Sequence, residues 1–146
     1  MTSGSESPIV VLISRLVAPL IQVFGLYTIL HGHYGPGGGF QGGAMLAASV
    51  LLVRLCIRSE ADQMLFKHTM GTPVGILGAM VFVGMGMMTL LGGGYFLDYG
   101  ALAFDDLSPA SLRSTGILII EVGIGIAVMS TLIAIFDDLL GEESNG

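Results

Sequence analysis

His31-Gly32-His33-Tyr34-Gly35-Pro36-Gly37-Gly38-Gly39-Phe40-Gln41-Gly42-Gly43 lies between two apolar stretches, each long enough to cross a bilayer. Seven of its thirteen residues are glycine and one is proline, so it resists a regular helix. Irregular backbone next to hydrocarbon must be covered by protein or water, and the segment therefore reads as a buried or partner-covered turn between two membrane helices. Working outward, four stretches match a hydrocarbon core of about 30 Å. They are Ile9–Leu30, Gly39–Ile57, Pro73–Gly92 and Ser114–Phe136. The second counts as a span only if Arg54 snorkels toward an interface.

The composition agrees: 53% of the 146 residues are hydrophobic, 11% are charged, and the mean hydropathy is +0.85, values foreign to a soluble domain. The expected fold is an all-α membrane protein of four transmembrane helices, with the Gly-rich turn between the first and second. Residues 9–140 form one membrane domain, preceded by a cytoplasmic segment 1–8 and followed by an acidic tail 141–146. Met1–Pro8 carries no basic residue and no A-x-A site follows the first span, so this span is expected to remain as a helix. Cys56 is the only cysteine, which excludes an intrachain disulfide and reads as a small apolar residue. A formal charge of −6 argues against nucleic-acid binding. Arg54, Arg58 and Lys67 flank the second connection and Arg15 lies near the start of the first span, whereas Asp98, Asp105 and Asp106 lie in the third connection. The positive-inside rule then places both termini in the cytoplasm and the glycine turn outside.

Polar residues within the spans are few. Arg15, Pro19 and Gln22 share one face of the first helix, which suggests either a packing seam kinked by proline or part of a hydrated ion route. In the second connection, Ser59–Gly71, a capped helix lying on the inner membrane face is expected, with Lys67 and His68 solvated. Gly71, Gly75 and Ala79 suggest close backbone approach, and Met80, Met85, Met87 and Met88 suggest adaptable packing rather than copper binding. Tyr95, Phe96, Tyr99 and Phe104 mark the third connection as interfacial, and Ser108-Pro109 opens the last helix. There Gly116, Gly123, Ala127, Ser130 and Ala134 form a small-residue packing stripe, with Glu121 on the opposite side. Two such faces suggest that the helix requires protein on both. Glu121 is the only carboxylate well inside a span, and it reads either as a hydrogen-bonded packing residue, held by Gln22, or as a proton or cation relay.

Other chemistries fit poorly. Gly37-Gly38-Gly39-Phe40-Gln41-Gly42 satisfies G-x-G-x-x-G, but it follows a membrane helix rather than a strand, and no Gly-Lys-[Ser/Thr] follows. His31 and His33 stand two apart with no third ligand nearby, so no metal site and no cofactor is expected.

GHYGPGGGFQGGAMLAASVLL, followed by a basic inner connection and by LIIEVGIGIAV, resembles the MnhB family, whose members are small subunits of Mrp-type multisubunit Na+/H+ antiporters. Gly32, His33, Pro36, Gly37, Gly38, Gly39, Phe40 and Gly43 satisfy the family's pattern. The resemblance runs essentially end to end. It implies a small cell-membrane subunit, not an enzyme, that supports assembly of a complex exchanging Na+ for H+. Its partners are then the other membrane subunits and the lipid bilayer. On this reading Glu121, Gln22 and Arg15 are candidates for ion translocation or coupling. His31 joins the pattern residues as motif and subunit-interface candidates, and Gly116, Gly123 and Ala127 serve helix packing. Similar subunits of membrane-bound hydrogenase-type respiratory complexes, and a purely structural scaffold, remain alternatives.

Overall fold

A computed structural model describes residues 7–32, 34–35, 37–56, 70–101 and 108–143. They form α1 (Pro8–His31), α2 (Gly39–Cys56), α3 (Gly71–Leu91) and α4 (Pro109–Glu143), with a 3-10 turn at Tyr99–Ala101. All four helices are long and apolar enough to cross a membrane, and the chain is a multi-pass membrane protein. The helix expected within Ser59–Gly71 lies almost wholly outside the described residues, as do Lys67 and His68.

The first three helices keep within two residues of the expected spans. The fourth runs longer: Pro109 fits the first turn of a helix, where its missing N–H costs nothing, and α4 continues through Asp137 and Asp138 to Glu143. At 1.5 Å per residue its 35 residues extend about 52 Å, well beyond the hydrocarbon thickness.

The helices pack in the order α1, α2, α4, α3, so that α2 and α4 are central, while α1 also touches α4 over a smaller area. Small residues set each contact. A Cβ on Gly42 would come 2.6 Å from the Gly25 carbonyl oxygen, and one on Gly43 would come 2.5 Å from that of Gly125. A Cβ on Gly78 would lie 2.5 Å from the Gly123 carbonyl oxygen. Such spacing is closed to any residue with a side chain, and it substitutes van der Waals contact for the hydrophobic effect that lipid does not supply. The buried hydroxyls fold back on their own helices. Ser14, Thr28, Ser49, Thr89 and Ser130 each donate to a carbonyl oxygen three or four residues earlier, at 2.6–3.0 Å. They fill core space while bonding within their own helices, and Thr89 Oγ1 also accepts from the Leu97 N–H at 2.9 Å.

The stripe on α4 therefore meets α3, not another subunit. Gly123 and Ala127 face Gly78, Ala134 faces Gly71, and Gly116 receives the Tyr99 ring. The opposite side, with Glu121 and Gly125, meets α2. Both faces of α4 are covered by this chain's own helices, which removes the reason to expect that α4 needs outside protein on each. By contrast the large apolar side chains point mostly outward, among them Leu16, Leu20, Val23, Phe24, Leu77 and Met80. For a protein whose solvent is lipid tails, that is the expected distribution.

Candidate functional site

Glu121 sits where three elements converge. Contacts of Gly39 with Glu121, Gly43 with Gly125 and Arg54 with Asp137 show α2 and α4 running parallel, in a register of 82 or 83 residues. That register sets the start of α2 beside Glu121, twelve residues and about 18 Å into α4. The α1–α2 turn is thus sunk below the Pro109 end of α4.

The turn is shaped to admit the carboxylate. A Cβ on Gly32 would lie 2.5 Å from Glu121 Oε1 and 2.7 Å from Oε2, and one on Gly38 would lie 3.2 Å from Oε1. A Cβ on Gly39 would overlap the Glu121 backbone carbonyl. Gly37 and Gly38 adopt φ of 143° and 129°, a region that residues with side chains rarely occupy. The chain reverses through hydrogen bonds from Tyr34 N–H to the His31 carbonyl at 3.0 Å and from Gly42 N–H to the Gly38 carbonyl at 3.0 Å. Oε2 is buried. The carboxylate stands between the carbonyl end of α1 and the amide end of α2, whose first-turn N–H groups are donors with no partner inside the helix and suit an anionic acceptor. A carboxylate inside a membrane span, held against backbone dipoles of both signs, can exchange a proton or attract a cation.

The remaining candidates lie apart. Gln22 is exposed on α1, ten residues and about 15 Å of helix from Gly32, so the structure does not bring it to Glu121. Arg15 is exposed as well, as is Pro19 between them. His31 is exposed and stacks on Tyr27 with ring centroids 4.2 Å apart. His33 and Pro36 lie outside the described residues. Phe40 is 70% exposed, so the described residues leave its ring largely uncovered.

One pair was not visible from the sequence. Arg54, near the end of α2, forms a salt bridge with Asp137 of α4, both side chains being mostly buried. Arg54 alone suggests snorkelling, and Asp137 reads as the first acid after an apolar run. Only the parallel register brings them together. At the other end the Tyr99 ring is packed on Gly116, and burial pushes the Tyr99 hydroxyl above the usual phenol range.

This architecture is shared. The family model described as a domain related to the MnhB subunit of Na+/H+ antiporter matches residues 9–134. A Na+/H+ antiporter subunit of Alkalihalophilus pseudofirmus is 32% identical, over 82% of this chain and 88% of that protein. Its namesake in Bacillus subtilis is 27% identical, over 82% and 87%. An uncharacterised protein of Methanocaldococcus jannaschii is 29% identical over 88% of this chain, which spans 50% of that protein's length. Among solved structures, a chain of the membrane-bound sulfane sulfur reductase, an archaeal respiratory membrane complex, superposes with a TM-score of 0.75 at 34% identity. The match covers 95% of this chain and 60% of that one. The chain belongs to the MnhB family, a family of antiporter-related membrane subunits.

Proposed function

We propose that this protein is a small integral membrane subunit of a multisubunit Na+(cation)/H+ antiporter complex in the cell membrane, with both termini cytoplasmic. It supports assembly and lends Glu121 to the ion route. It is not an enzyme in its own right and uses no cofactor; its ligands are Na+ and H+ as ions of the complex. The observation that carries the reading is its likeness to a Na+/H+ antiporter subunit over 88% of that protein's length. Glu121 agrees with it, as a deep carboxylate set against glycine backbone. One such group does not make an antiporter, which needs a string of titratable sites, so this chain acts with partners.

A second reading has its own support. The likeness to a chain of a respiratory complex favours the equivalent subunit of a redox-driven ion pump. Affinity purification of the tagged chain in mild detergent, followed by mass spectrometry, separates the two: antiporter subunits support the first, redox subunits the second. In everted vesicles, Glu121→Gln in an assembled complex should weaken antiport or shift its pH optimum. Unchanged activity across pH would reject the relay and leave an assembly role.

A further inference from the structure

The side of α1 away from its intrachain contacts is not uniformly apolar. Ser14, Ala18, Gly25, Thr28 and Ile29 are its buried residues. About 100° around the helix from Ser14 and Ala18, Arg15 and Pro19 are exposed, and Gln22 continues their stripe at spacings of four and three. Among the described residues, Arg15 and Gln22 have no hydrogen-bond or ion-pair partner. Pro19 adds a third polar group, because it has no N–H to give to the Arg15 carbonyl four residues earlier.

The depth of these groups follows from the helix register. Gly25 meets Gly42 and Leu46 of α2. Ten residues from that contact, about 15 Å along each helix, bring Arg15 on α1 to the level of Arg54 on α2. The Arg54–Asp137 pair marks a polar end of the bundle. Gln22 then lies about 10 Å inward of it, among exposed Leu20, Val23 and Leu26. Arg15 alone could reach headgroups, but an amide at Gln22's depth and a backbone carbonyl released by proline cannot be satisfied by lipid tails.

We propose that the Arg15–Pro19–Gln22 flank of α1 is the docking seam for a transmembrane helix of another subunit. That helix carries a carboxylate at the level of Arg15, and a hydrogen-bonding side chain at the level of Gln22. The charge fixes the kind of partner: a guanidinium on the same stripe as Gln22, at the polar edge of the seam, calls for an anion on the helix that covers Gln22, and side-chain hydrogen bonds between helices serve groups such as Gln22. The proposal rests on the reading of this chain as one subunit of a complex.

The test uses the intact complex in native membranes, with a photo-crosslinking amino acid at Gln22 and, in separate strains, Arg15→Leu and Arg15→Lys. Crosslinking should yield a peptide from another subunit with Asp or Glu within two helical turns of the crosslinked residue. Arg15→Leu should cut recovery of that subunit with the tagged chain at least fivefold, whereas Arg15→Lys should retain most of it. Because Arg15 is exposed, neither change should lower the amount of the chain itself in the membrane; an Arg15→Glu variant rescued by a basic residue at the mapped acid provides the reciprocal check. Crosslinks to phospholipid, a crosslinked helix without an acid, or normal recovery with Arg15→Leu would overturn the proposal. A wild-type chain that purifies with no other subunit would instead refute the subunit reading itself.

Discussion

Replacing Gly43 by alanine tests the α2–α4 contact that holds Glu121 in place. The added Cβ would lie 2.5 Å from the Gly125 carbonyl oxygen and 3.0 Å from its Cα, both backbone atoms that cannot rotate aside. Reaching ordinary contact at 3.4 Å requires a separation of 0.9 Å, the difference between 3.4 and 2.5. Helix α2 cannot yield it freely, since neighbouring Gly42 is pressed against Gly25 and Ile29 of α1. Overpacking of this kind costs about 1–3 kcal/mol, and backbone-on-backbone contact argues for the upper part of that range. Alanine also gains about 1 kcal/mol over glycine inside a helix. Gly84 of α3 is the matched control, because nothing lies within 4 Å of its added Cβ. Gly84→Ala should therefore be neutral or stabilising, and its difference from Gly43→Ala isolates the steric term. Steric trapping of the unfolded chain in bicelles, with paired biotin tags on α2 and α4, measures both variants in lipid. Agreement of the two within about 0.5 kcal/mol would show that α2 and α4 do not approach this closely and would refute the reasoning.

For the Arg54–Asp137 pair, Asp137→Ala should destabilise by about 1–3 kcal/mol, below the roughly 3–5 of a fully buried pair because the two side chains remain 12% and 13% exposed, and Arg54→Met with Asp137→Leu should restore much of it in a double-mutant cycle. Single cysteines at Tyr99 and Ser144, in a Cys56→Ala background, should react from outside and inside the cell respectively, and reaction from one side would reject the proposed orientation. The phenol of Tyr99 has its pKa raised in the fold, so its packing contribution is fully present below the unfolded value near pH 10 and is lost only as pH rises through the higher folded value. Ultraviolet titration of the protein should thus show a phenol ionising late, absent in Tyr99→Phe, with no loss of thermal stability between pH 7 and about 9. Gly38→Ala should disturb the turn through both its φ of 129° and its closeness to Glu121, lowering complex recovery more than Gly35→Ala, whose added Cβ meets nothing within 4 Å.

The sequence by itself determined the four spans, the glycine turn and the family, because each depends on local properties: the length of an apolar run, the φ freedom of glycine, and a contiguous motif. It also singled out Glu121, since a carboxylate deep in a span is conspicuous in one dimension. Which groups meet was decided only by the tertiary structure. Helical faces in a membrane carry no apolar-in, polar-out signal, because lipid is as apolar as the core; the small residues of α4 could have faced a neighbouring subunit's helix as readily as α3. For the same reason depth along the helix alone offers Gln22 as a companion for Glu121, whereas the packing of Gly32 against Glu121 leaves Gln22 about 15 Å of helix away. The pairing of Arg54 with Asp137, 83 residues apart, and the setting of Glu121 against Gly32 and Gly38 both follow from one long-range fact, the parallel packing of α2 on α4. No local pattern encodes that packing, which depends on glycine meeting glycine at Gly43 and Gly125 once the helices are side by side.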